Sequence, residues 1–183
     1  MRKIFGALAR LGFLAVAAVA IGCSSMQPQD FASSTPRFAP EEYFAGKTKG
    51  RGVFFDRFNN AQAHFEVLLD GTWDGQVLTL KEQFRYESGE NSERVFEIKK
   101  ISDHLYEVRT ADLVGVGTIE AYGSAIRWSY KLKQKIGDSI WTLTFDDWMF
   151  LKSDGVVLNR AWASKWGFGV GEVFMAVTKE QSS

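Results

Sequence analysis

From Glu41 onward the chain alternates between apolar and polar residues with a period of two. Phe65, Val67 and Leu69 alternate with polar neighbours, and Leu78, Leu80, Phe84 and Tyr86 share one parity, interrupted by Glu82. Ile126, Trp128, Tyr130 and Leu132 repeat the pattern, as do Trp141, Leu143 and Phe145. Successive side chains of a strand point to opposite faces, so each run predicts a strand with one face in a core. Turn signals separate the runs: "DGTWDG" (70–75), "ESGEN" (87–91), "SD" (102–103), "GS" (123–124), "IGDS" (136–139) and "KSDG" (152–155). About eight to ten strands joined by tight turns predict an all-β domain, an antiparallel meander closing into a barrel or sandwich. Aromatic residues make up 14% of the chain, which favours a barrel, since a closed sheet needs bulky filling. Helical signal is confined to "PEEYFAG", one short N-terminal helix with Pro40 in its first turn, Glu41 and Glu42 next, and Gly46 as terminator. The ~140 residues from Glu41 suffice for one core and not for two ordinary domains.

Ahead of that domain the pattern changes. Arg2, Lys3 and Arg10 precede an apolar run from Leu11 to Ile21, too short to span a bilayer and shaped like a secretory signal. "AIGC" ends at Cys23, the only cysteine, and fits a bacterial lipobox except that Ala20 stands where leucine is commoner. Residues 1–22 are therefore expected to be a lipoprotein signal peptide and Cys23 the lipidation site. Residues 23–40 hold all three prolines and a cluster of serines and read as a flexible, lipidated tether. Residues 41–183 form the β-barrel domain. Ser24, in place of the aspartate that marks inner-membrane retention, points to the periplasmic face of the outer membrane. Loss of the leader removes three of the 22 basic residues and none of the 22 acidic ones, so the mature chain is mildly acidic, a poor start for a nucleic-acid binder. No thiol remains for disulfides or soft metals.

"GRG" (50–52), "GVG" (115–117) and "GFGVG" (167–171) place glycines on one strand face. The last does not read as a nucleotide loop, because "EVFMAV" follows as strand and not as helix. Glycines on one face mark a bend or a place where an aromatic ring lies on the backbone. "FDDWMFLK" (145–152) raises the question of a catalytic pair. On a strand Asp147 shares its face with Trp141, Leu143, Phe145, Met149 and Leu151, while Asp146 shares the other with Thr142, Thr144, Trp148 and Phe150. Carboxylates on opposite faces cannot converge on one atom, so this is no acid/base dyad.

Asp147 lies on the apolar face, where a lone carboxylate would cost several kcal/mol, and needs a partner. Arg160, Lys165 and Asn159 in "LNRAWASK", Glu172, and Arg57 in "FFDRF" are the candidates. Together they read as a polar network that either stabilises the fold or orients a ligand in an apolar cavity. Candidate ligand-binding residues are thus Asp147, Arg160, Lys165, Glu172 and Arg57. His64 and His104 stand some forty residues apart and make no zinc pattern, no "GxSxG" elbow is present, and "GTW" (71–73), similar to a lipocalin signature, falls in an expected turn. No catalytic residue, metal or cofactor is expected, and an enzyme is not.

"APEEYFAGKTKGRGVFFDRF", "FDDWMFL" and "LNRAWASKWGFGVGEV", with the lipobox, resemble the bacterial lipoprotein family catalogued as domain of unknown function 3833, over most of residues 38–178. The resemblance implies a secreted, lipid-anchored, single-domain protein and supplies no activity. The strand pattern itself favours a lipocalin-like (calycin) barrel. The functional expectation is an envelope protein whose barrel binds a lipid or other apolar small molecule. The alternative is a structural or assembly partner whose barrel is filled.

Overall fold

The computed structural model describes residues 25–180. The expected signal peptide and the expected lipidation site, Cys23, lie outside the described residues. Ten antiparallel strands form a closed meander: β1 (Gly46–Asp56), β2 (Ala61–Trp73), β3 (Val77–Tyr86), β4 (Asn91–Lys100), β5 (Leu105–Arg109), β6 (Gly117–Tyr122), β7 (Ala125–Ile136), β8 (Ser139–Leu151), β9 (Val157–Lys165) and β10 (Phe168–Lys179). Each strand pairs with its sequence neighbours, and β1 closes the ring on β10 from Thr48↔Lys179 to Asp56↔Gly171. The expected all-β barrel is what the chain builds, with the strand count at the top of the expected range.

Period two sorts the side chains as the sequence reading requires. Val67, Leu78, Leu80, Ile98, Val108, Ile119, Val157 and Val177 are almost wholly excluded from solvent inside the ring. Each such burial stabilises the fold by about 1.5–3 kcal/mol before the entropy of ordering is counted. Of the glycines read as lying on one face, Gly52 and Gly171 bear that reading out, while Gly115 and Gly167 lie between strands at positive φ. Where a Cβ would stand at Gly52 lies the Phe65 ring, and at Gly171 the Phe54 ring. Instead of ending a turn, "GTW" completes β2.

A short helix, α1 (Pro40–Tyr43), forms where Pro40 and the two glutamates predict it, and it closes one end of the barrel. Phe38, Tyr43 and Phe44 are buried and meet at ring-centroid distances of 5.1–6.0 Å. The Tyr43 hydroxyl donates to the carbonyls of Gly155 and Val177, each at 2.9 Å, tying the plug to the β8–β9 turn and to β10. Glu41 turns inward and accepts from Lys100 Nζ and Tyr106 Oη, both at 2.7 Å. Burial pushes its carboxyl up, but those two hydrogen bonds outweigh it and hold the group below the usual carboxylate range. Gly71 lies directly beneath the plug, and any Cβ there would overlap the Phe44 carbonyl oxygen.

The expected free tether is corrected over its described part. Residues 28–39 lie against the barrel as a strap. A 3-10 turn (Pro28–Phe31) sets Phe31 against Trp148 and Phe150 at 6.0 and 5.3 Å between ring centroids. The Ser34 hydroxyl contacts that of Ser124 at 2.8 Å, and the Phe38 N–H donates to the Gly123 carbonyl at 2.7 Å. Proline and serine content suggested a coil, but each phenylalanine of the segment finds an apolar seat. Gly123 allows the crossing, because a side chain there would run into the Phe31 carbonyl.

Candidate functional site

The far end of the barrel has no plug. A cavity of about 540 Å³ occupies that half and reaches the mouth, where Gln134, Lys135, Ile136 and Trp141 line it. Its walls are aromatic: Phe54, Phe65, Phe84, Phe96, Trp128, Tyr130 and Phe145 all face it. They interlock, with Phe96 edge-on to Trp128 at 4.8 Å and Tyr130 stacked on Phe145 at 5.0 Å. The barrel is thus not filled, contrary to the structural alternative. A wider groove of about 890 Å³ crosses the outer wall past Arg51, His64, Arg85, Arg160 and Phe174. It is shallow, and its Arg51 and Arg160 already pair with Glu66 and Glu172. The interior cavity, enclosed by rigid strands and carrying buried polar groups, is the better-built site.

The acids Asp147 and Glu82 line the inner wall of this apolar space with Arg94 and the Tyr130 hydroxyl, and Lys135 stands at its mouth. Asp147 is 6% exposed and accepts from the Asn159 amide, Nδ2 to Oδ1, and among the described residues it meets no cation. Burial pushes its carboxyl up to about 8; the Asn159 hydrogen bond opposes the shift, while the negative charges of Glu82 and Asp146 add to it. Glu82 stands on β3, its remaining accessible surface turned to the cavity, and burial, only partly offset by the charge of Arg94, pushes it up to about 7. Arg94 lies across from Glu82 in the β3–β4 register, yet its guanidinium turns to Asp112 at 2.8 Å and to Gln134 at 3.3 Å. Its charge is balanced there, so no ion pair forms with Glu82. Beside Asp147, in register with it across the β7–β8 ladder, Trp128 is 3% exposed and its indole N–H has no acceptor among the described residues. The Tyr130 hydroxyl is held well above its ordinary range by burial and by the two carboxylates.

The strand parity read from "FDDWMFLK" is the observed one. Asp146 faces outward and receives Arg127 through two hydrogen bonds of 2.7 and 2.9 Å. The expected single network of Asp147, Arg160, Lys165, Glu172 and Arg57 does not assemble. Arg160 and Glu172 pair with each other at 2.8 Å on the outer wall, with the guanidinium over Trp162 and Phe174. Arg57 lies in the β1–β2 turn over Phe58. Lys165 stands at the mouth with its ammonium 3.5 Å from the centroid of Trp141, a cavity-lining ring. Simple alternation would put Glu172 on the face of Val170, but a bulge between Gly169 and Gly171 shifts the register, so Val170 and Val173 face the cavity and Glu172 faces out. Glu82 and Arg94, absent from the expected set, do face the cavity. Glu82 carried a readable signal, a carboxylate breaking the apolar parity of β3.

Large apolar side chains crowd the mouth without cover: Phe58, Ile140, Trp166 and Phe168 are 70–86% exposed. Among the described residues no cluster of His, Cys, Asp and Glu is placed to hold a metal, and no helix is long and apolar enough to cross a membrane.

A family model described as "Protein of unknown function (DUF3833)" matches residues 17–179. The chain belongs to that family. No curated protein matches it. Among solved structures it is similar to the S-type phycobiliprotein lyase CPES from Guillardia theta, with a TM-score of 0.58 over 80% of this chain and 96% of that one. At 11% identity the likeness is one of fold, a lipocalin-like barrel.

Proposed function

We propose that this protein is a lipid-anchored carrier or sensor of the bacterial cell envelope that holds an apolar small molecule inside its barrel. The observation that carries the reading is the cavity: about 540 Å³, within the ~300–1,000 Å³ typical of small-molecule sites, aromatic-walled, plugged at one end and open at the other. A few polar groups in such a wall orient a ligand, and Asp147, Glu82 and Trp128 have that placement. The shared barrel with a phycobiliprotein lyase supports a small-molecule role, although the lyase's activity belongs to that protein. Cys23 in its lipobox supports attachment to the membrane, and Ser24 supports the periplasmic face of the outer membrane as its location. Binding without chemistry is the reading we favour, since the two cavity carboxyls stand among aromatic and aliphatic side chains.

Two measurements test this. An environment-sensitive neutral dye should bind the purified protein saturably with a Kd of about a micromolar or less, and mass spectrometry of organic extracts should show a co-purified small molecule. Absence of both would remove the binding role. Cys23→Ser should abolish fatty-acid labelling, and unchanged labelling would remove the anchor.

A further inference from the structure

The acids of the cavity carry more information than its size. Glu82 and Asp147 are the two carboxyls that line it, and among the described residues neither meets a cation within ion-pair distance. The one cation lining its inner wall, Arg94, is taken up by Asp112 and Gln134. At the mouth, Lys135 lines the rim on its exposed side, and Lys165 rests over Trp141 and Trp166, both away from the acids of the inner wall. Two carboxyls without counter-charge in an aromatic chamber are an expensive arrangement, and an apolar substitute at either position would pack without that cost. Trp128, beside Asp147, adds an independent sign that the chamber is incomplete when empty, because a buried indole N–H normally finds an acceptor.

We infer that the cavity selects a basic apolar molecule, one with a hydrophobic body and a protonated amine or similar N–H cation. Its charge lies between Glu82 and Asp147, and its body lies against Phe84, Phe96, Tyr130 and Phe145. This inference rests on the binding role proposed above and names the class of ligand. The chemistry favours a cation on two counts. An ammonium gives both carboxyls the opposite charge they lack, and in a dry site each such contact is far stronger than in water. The faces of Trp128, Tyr130 and Phe96 add cation–π attraction to the same charge. An anionic amphiphile meets the reverse: its carboxylate would be a third acid in a chamber that already keeps two from ionising. A hydrogen-bond acceptor elsewhere on the ligand would satisfy the Trp128 N–H.

Chain-matched competitors test the point without any variant. Dodecylammonium, dodecanol and dodecanoate should be titrated at neutral pH against a neutral environment-sensitive dye bound to the purified protein. Dodecylammonium should displace the dye at a concentration lower by on the order of tenfold than either of the others. Glu82→Gln with Asp147→Asn should erase that preference while the dye still binds. Equal or better displacement by dodecanoate or dodecanol would overturn the basic-ligand inference and leave the binding role standing. A protein that binds no dye at all would bring down both. A preference for the amine that persists in the double variant would also overturn the inference, because the charge would then be read elsewhere.

Discussion

The two ends of the barrel are built from the same strands and the same alternation, yet one is a core and the other a chamber. At the plugged end the inward strand residues are mostly aliphatic, the rings of Phe38, Tyr43 and Phe44 close over them, and the buried carboxylate Glu41 meets a lysine and a tyrosine. At the open end the inward residues are mostly aromatic and stand around a void, and the carboxyls Glu82 and Asp147 meet no cation. A carboxylate with two charged or polar donors stabilises the fold, whereas one without them weighs against it. The comparison separates what holds this protein together from what the protein holds.

The sharpest way to break the comparison is to unseat the plug. Gly71→Ala places a Cβ against the Phe44 carbonyl, a backbone atom that cannot swing aside. The expected loss is about 3 kcal/mol, or roughly 10 °C in Tm. Gly169→Ala at the open end is the control, since an added Cβ there meets nothing within 4 Å. Its expected effect is near zero, within ~0.5 kcal/mol. Equal melting temperatures for the two variants would mean that α1 does not seal the barrel.

Much of this division was legible in the chain, and the remainder was hidden for physical reasons. Strand parity follows from period two, so the opposite orientations of Asp146 and Asp147 could be read directly. Glu82 announced itself as an acid in an apolar row. What local pattern cannot carry is the partner across the ring. Arg160 follows Asn159 by one residue and so points the other way, and it finds Glu172 only because β10 pairs with β9. A single bulge at Gly169 and Gly171 reverses the parity that simple alternation from Val170 would give Glu172. The strap was hidden because composition reports the freedom of a segment, while Phe31 and Phe38 report where it docks. Whether the ring would be packed or hollow depends on strand number and tilt, which no stretch of sequence encodes alone.

The second prediction concerns pH and sets the acids of the two ends against each other. Glu41 is held below its ordinary range, so its contribution is present above about 4.5 and is lost as pH falls through its lowered value. Glu82 and Asp147 run the opposite way. Folding raises them to about 7 and about 8, so the native state keeps protons that the unfolded chain has already released. Their effect is a stability that declines as pH rises from about 4. Asp147→Asn removes the larger part of that decline and keeps an oxygen for Asn159 to reach. At pH 8–9 the variant should be more stable than the wild type by about 2 kcal/mol, and at pH 4 the two should converge. Denaturant titrations at both pH values measure it. A variant less stable at every pH would show that Asp147 is a structural anchor like Glu41.

Glu41→Gln should cost about 1–2 kcal/mol at pH 7, since Lys100 keeps partial access to water and a second partner in Asp103. The loss should shrink at acid pH, where the wild-type carboxylate is itself protonated. It should leave dye binding in the cavity unchanged, because the residue lies at the plugged end.

The smallest expected effect sharpens the comparison from outside. Arg160 and Glu172 look like cavity residues in the sequence, close as they are to the apolar runs of the last strands, but they pair on the outer wall. Arg160 is also half-exposed over Trp162 and Phe174, so its pair is screened by water and its stacking is a surface contact. Arg160→Ala should therefore change stability by less than ~1 kcal/mol. More telling is the binding readout. Dye affinity and its displacement by dodecylammonium should stay within about twofold of wild type, a difference of under half a kcal/mol. Lys165→Ala, by contrast, removes the ammonium stacked on Trp141 at the mouth and should alter the rate of dye exchange more than its affinity. Stopped-flow mixing separates the two. A large loss of affinity in Arg160→Ala would mean that the ligand sits in the groove on the outer wall, and the chamber would then be a void the fold tolerates.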